Sequence, residues 1–97
     1  MNKEEMTFAL ARKARLTKRD AEAAIDAVFD IITDTLVSGG KVQIVGFGNF
    51  ETKDRAPRVG RNPKANTPVK IPARRVPVFN PGKPLRDAVD NAKSLNK

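Results

Sequence analysis

The sequence predicts an α+β fold: two N-terminal helices, a three-stranded antiparallel sheet extended into a β-ribbon arm, and a short C-terminal helix. Three observations carry that prediction. Residues 3–14 and 18–37 place apolar side chains at helical spacing. Short apolar runs at 41–50 and 76–79 have the composition of strands. Between those runs, Glu51 to Arg75 holds eight Lys/Arg against two acids, a net +6 in 25 residues, and four prolines interrupt it. A segment so charged and so rich in proline cannot build a core or continue as a helix. It reads as an arm of two basic ribbons that turn near residues 62–66.

The first helix, 3–14, aligns Met6, Leu10 and Ala14 at spacing four, with Ala9 beside them. Thr17 then serves as an N-cap, and Asp20 three residues on approximates a capping box. From Lys18 to Val37 the stripe Ala21, Ile25, Val28, Ile32 and Leu36 is widened by Ala24, Phe29 and Ile31. So broad an apolar face suits a helix covered on more than one side. Gly39-Gly40 stops this helix and turns the chain. Residues 41–50 form a strand candidate in which Gly46 and Gly48 imply a bulge, a sharp bend or a close backbone approach. After the arm, Val76, Val78 and Phe79 return to the core. Leu85, Ala88 and Val89 give the last helix its inward face, Pro84 is tolerated in its first turn, and 93–97 form a frayed tail.

At 97 residues a single domain is expected, with body segments 1–52 and 76–92 and the arm at about 53–75. The body is near the size at which a lone core is marginal, and without cysteine neither disulfides nor thiolate-bound zinc can reinforce it. Pairing with a second copy is the simplest way to enlarge the core. Such a homodimer would bury Ile25, Val28, Phe29, Ile32, Leu36, Val45, Phe47, Phe50, Val78 and Phe79. No apolar run is long enough to cross a membrane, and the N-terminus lacks the apolar segment of a signal peptide, so a soluble intracellular protein is expected.

Charge is segregated: residues 1–40 carry six bases and seven acids, while 41–97 carry thirteen bases and four acids. That asymmetry points to one polyanion-binding face, with nucleic acid the leading partner. Histidine, cysteine, tyrosine and tryptophan are absent, which removes the usual general base, soft metal ligands and thiol nucleophile. Glu4/Glu5 and Asp26/Asp30/Asp34 are spaced as solvated helix faces rather than as a magnesium site. The Gly-Phe-Gly at 46–48 is no dinucleotide loop, because Glu51 stands where that motif needs its last glycine. No catalytic residue, metal, cofactor or small-molecule substrate is expected.

Lys53, Arg55, Arg58, Arg61, Asn62, Lys64, Lys70, Arg74 and Arg75 are the candidate arm contacts, and Lys83 and Arg86 the candidates on the body. Arg55, Arg58 and Arg61 lie three apart, which on a strand alternates faces and would let them grip both walls of a groove. A guanidinium fork suits phosphate or the narrow groove of AT-rich duplex. Pro63, at the tip between Arg61 and Lys64, is a candidate wedge between base pairs. No recognition helix and no aromatic stacking platform is apparent, so double-stranded DNA bound through its minor groove and backbone is the expected partner.

These residues also resemble a known group. The run Gly46-Phe47-Gly48-Asn49-Phe50, then Arg55, Arg58 and Gly60-Arg61-Asn62-Pro63, and later Pro77-Val78-Phe79 with Gly82-Lys83, is similar to the bacterial histone-like proteins of the HU and integration-host-factor family. The likeness runs from Met1 to about Ala92. It implies an intertwined homodimer whose two arms embrace duplex DNA, with Pro63 of each subunit entering a base step. It also implies a non-enzymatic architectural role, bending, wrapping and compacting chromosomal DNA in the bacterial cytoplasm and nucleoid. Two features depart from the usual HU pattern. Ala65-Asn66-Thr67 replaces the common Thr-Gly and charged residue at the tip, and Pro68 removes a ladder donor, which puts pairing there in question. The run from Pro72 to Val76 also resembles integration host factor, leaving a site-specific bending factor as one alternative and an RNA-binding or ribosome-associated protein as another.

Overall fold

Helices α1 (Lys3–Ala14) and α2 (Lys18–Val37) come first, followed by strands β1 (Val42–Ile44), β2 (Gly48–Arg55), β3 (Arg58–Asn62), β4 (Thr67–Ile71) and β5 (Arg74–Pro81), and then helix α3 (Lys83–Leu95). The computed structural model describes residues 1–62 and 67–95. Two compact units are separable along the chain, Met1–Thr35 and Leu36–Lys97.

In the first unit, Asn2 and the expected cap Thr17 fix the helix starts. Asn2 Oδ1 accepts from the Glu5 N–H at 2.8 Å, and Thr17 Oγ1 accepts from the Asp20 N–H at 3.1 Å. Between them Arg15 closes α1 in the left-handed region, at φ 57°. Ala21 and Ile25 are buried, and buried Thr7 donates its hydroxyl to the Lys3 carbonyl at 2.9 Å. The Lys3 ammonium lies 2.6 Å from Asp26 Oδ1, and this hydrogen bond holds its pKa above the ordinary lysine value.

The second unit is built on a hairpin that the sequence only half disclosed. Residues 41–50 do not form one strand, because the chain reverses at 45–47. The Phe47 N–H donates to the Ile44 carbonyl at 3.0 Å, and Gly46 takes φ +82°, as the third position of a type II turn requires. Val42 then pairs with Phe50, and β2 pairs antiparallel with β5, giving a three-stranded sheet in the order β1-β2-β5. The sharp bend and the close approach are therefore both present, at different glycines. Gly48 sits at φ +156°, where an added Cβ would lie 2.6 Å from the Asn80 carbonyl oxygen and 2.7 Å from the Phe79 ring. The space it leaves admits that ring. Phe79 stands opposite Phe50 with centroids 4.8 Å apart, and the Phe47 ring is 5.4 Å from it, both pairs tilted.

β3 and β4 form a separate two-stranded sheet, with Arg58 opposite Ile71 and Asn62 opposite Thr67. Arg61 is paired with Pro68, so the missing donor does not abolish pairing there. Helix α3 continues to Leu95, so residues 93–95, placed in the tail by the sequence, are helical. Gly82 precedes it and ties it to the hairpin turn, donating its N–H to the Phe47 carbonyl at 2.8 Å.

Large apolar side chains remain in solvent. Val28 is 52% exposed, Phe29 49%, Ile31 62%, Phe47 45% and Phe79 38%, while Val45, in the hairpin turn, is fully exposed. Ile32, Leu36, Phe50 and Val78 are half-buried.

Candidate nucleic-acid interface

The ribbon formed by β2–β5 and β3–β4 carries most of the cations singled out above. Lys53 and Arg55 lie near the end of β2, Arg58 and Arg61 on β3, Lys70 on β4, and Arg74 and Arg75 at the start of β5. The structure describes the backbone of Arg61 and Asn62. Pro63 and Lys64 lie outside the described residues. Lys83 and Arg86 occupy the first turn of α3.

Register fixes what faces what. Arg55 is opposite Arg74, Asp54 opposite Arg75, Lys53 opposite Val76, and Val59 opposite Lys70. Two candidates already have counter-charges. Arg75 Nε donates to Asp54 Oδ1 at 3.3 Å, and Lys83 Nζ donates to Asp87 Oδ2 at 2.8 Å. Both pairs are exposed, so water competes with them and a phosphate can displace the acid at little cost. Lys41, which sequence reasoning passed over, lies 3.7 Å from Glu51, and that acid also accepts from Asn80 Nδ2 at 3.0 Å. Among the described residues, no ion pair engages Lys53, Arg55, Arg58, Lys70, Arg74 or Arg86. All but Arg86, which is on α3, face solvent on a ribbon with no acid opposite them, the electrostatic footprint of a polyanion-binding edge.

The ladder that would carry the alternation expected for Arg55 and Arg58 is interrupted between them. Both line one cavity of about 260 Å3 together with Ala56, Ile71, Pro72 and Arg74. Sequence reasoning missed this feature, which depends on the register that sets Pro57 against Pro72.

Comparison with known proteins agrees with this arrangement. The family model described as bacterial DNA-binding protein matches residues 1–90. The DNA-binding protein HU of Geobacillus stearothermophilus is 55% identical over 89 residues, covering 92% of this chain and 99% of that protein. HU 1 of Bacillus subtilis is 52% identical over 89 residues, covering 92% of this chain and 97% of the relative. Among solved structures, an Anabaena HU–DNA cocrystal superposes with a TM-score of 0.87 at 48% identity, covering 92% of this chain and 97% of the other. With its helical pair, three-stranded sheet, basic ribbon and terminal helix all in the same order, the chain belongs to the bacterial DNA-binding protein family, in its HU and integration-host-factor group.

Proposed function

We propose that the protein is a non-enzymatic architectural factor that binds duplex DNA with little sequence preference and bends it. The observation that carries this reading is the paired ribbon β3–β4, whose Arg58 and Lys70 have no ion pair among the described residues, continued onto β2 and β5. Lys53, Arg55, Arg58, Arg61, Asn62, Lys64, Lys70, Arg74 and Arg75 line the minor groove and its phosphates. Pro63 enters a base step as an apolar ring that strands no polar group. Lys83 and Arg86 receive the duplex as it bends back toward the body. The HU relatives and the Anabaena HU–DNA cocrystal support the choice of DNA as the polyanion.

The working unit is a homodimer. Its support is the apolar surface that one chain leaves in water, Val28, Phe29, Ile31, Val45, Phe47 and Phe79, which a second copy would cover. Proteins of this group are cytoplasmic and nucleoid-associated, and we place this one on the nucleoid.

Titrations against intact duplex DNA, nicked duplex and double-stranded RNA of equal length test the proposal. The expected order is nicked DNA tightest, intact DNA next and RNA weakest, because a nick has already lost the stacking that a bend must break. RNA bound more tightly than DNA would overturn the reading. The melting temperature should rise with protein concentration, as mass action demands of a dimer that folds as a dimer.

A further inference from the structure

At the root of the arm the ladder loses two rungs. Arg55 pairs with Arg74 on the body side and Arg58 with Ile71 on the arm side, so Ala56-Pro57 and Pro72-Ala73 remain unpaired with no change of register. That register sets Pro57 against Pro72. Neither has an N–H to donate, so a rung at this level has no donor from either strand.

Arg55, Arg58 and Arg74 surround the resulting cavity, and its other lining residues, Ala56, Ile71 and Pro72, bring no side-chain acceptor. Arg55 and Arg74 are direct cross-strand partners, an arrangement of like charges that destabilises a ladder. None of the lining residues is acidic, and Asp54 beside them is engaged by Arg75. Three arginines from three strands thus line an opening whose lining contains no acid. An oxyanion placed there would relieve the repulsion and accept from more than one fork.

We propose that this gap is a discrete oxyanion cradle that takes a single phosphate group. The proposal rests on the DNA-binding reading and deepens it. The rest of the arm neutralises phosphates along its length, whereas the cradle fixes one phosphate at a set position relative to the arm's root. A terminal phosphate of free pyrophosphate offers the same chemistry, and the experiment separates the two sources.

The full-length protein is titrated with pyrophosphate at constant ionic strength, following the arginine Nε–Hε resonances. Saturable shifts confined to Arg55, Arg58 and Arg74, at one site per chain, are expected. Arg74→Gln should weaken this binding about tenfold or more, and Arg74→Lys nearly as much, since lysine keeps the charge but loses the fork. Linear shifts spread over all the arginines, or full rescue by lysine, would overturn the cradle. In the second arm, a single neutral methylphosphonate is walked along a nicked duplex. One position should cost the wild type about tenfold and Arg74→Gln nothing further. Equal penalties for both proteins at every position, together with no saturable pyrophosphate site, would refute the proposal. Saturation by pyrophosphate without a sensitive position would assign the cradle to free phosphate. Failure of the wild type to bind unmodified duplex would sink the DNA-binding reading, leaving the pyrophosphate titration to decide the cradle. All the substituted side chains are exposed, so thermal melting should match the wild type and exclude misfolding.

Discussion

The ribbon that leaves at Gly48 and returns at Pro81 keeps one register from the body into the arm, yet its two halves do opposite work. In the body half, cross-strand partners are matched for packing. Phe50 faces Phe79, Phe47 closes on the same ring, and Gly48 gives up its side chain to make room. In the arm half the partners are mismatched for packing, as Val59 with Lys70 and Arg58 with Ile71, and Val59 is 72% exposed. The same hydrogen-bonded ladder serves stability in the body half and, on the proposed function, recognition in the arm half. Substitutions in the two halves should therefore separate cleanly into those that change folding and those that change binding.

The largest expected effect is in the body half. Phe79→Ala removes the ring common to both aromatic contacts and should destabilise the protein by about 3–5 kcal/mol. Urea unfolding at fixed protein concentration measures it, since a dimer's midpoint shifts with concentration. A loss below about 1 kcal/mol would show that the aromatic cluster is not the seat of the body's stability.

Much of this division was legible in the residues. The two helices begin and end where period places them, and Thr17 caps the second as expected, satisfying a local backbone donor that needs no tertiary context. The arm was legible because charge and proline exclude every other use of that segment. Two things were not. The hairpin turn at 45–47 was hidden because Val45 and Phe47 read as strand residues, while only the pairing of Val42 with Phe50 shows that the chain reverses between them. The opposed prolines were hidden for a similar reason. Pro57 and Pro72 are fifteen residues apart in sequence, and only a register makes them neighbours. Non-local pairing is the common cause of both misses. The engagement of Arg75 by Asp54 belongs with them, since it too depends on which residues the ladder sets face to face.

An intermediate effect is expected in the arm half. Arg58→Ala should leave unfolding within about 0.5 kcal/mol of wild type, because an exposed side chain over no core has little to lose. Its affinity for duplex DNA should fall, and the slope of log affinity against log salt should drop by about one unit, the signature of one phosphate contact removed. Titrations over a series of salt concentrations check both at once. Unchanged slope and affinity would mean that the arm is not the binding element and that the contrast between the halves has another purpose.

The smallest effect sharpens the boundary between the halves. Asp54 and Arg75 are the cross-strand pair one rung on the body side of Arg55 and Arg74, which border the gap; they are joined by a single 3.3 Å hydrogen bond, and Asp54's side chain is 83% exposed. Such a pair contributes at most about 0.5 kcal/mol to folding, since solvent screens it and two long side chains must be held still to form it. Toward DNA the acid acts in the opposite sense, repelling phosphate and occupying a guanidinium that could otherwise meet one. Asp54→Asn should therefore leave melting almost unchanged while tightening duplex binding roughly fivefold at low salt, a change equivalent to about 1 kcal/mol for one charge near another in water. The gain should shrink as salt rises, because the interaction is screened. Asparagine keeps the size of the side chain and an acceptor oxygen, so a loss of packing would not mimic the result. Weaker DNA binding by this variant would mean that Asp54 holds Arg75 in the orientation the duplex needs, and the functional boundary would then lie one rung further into the body.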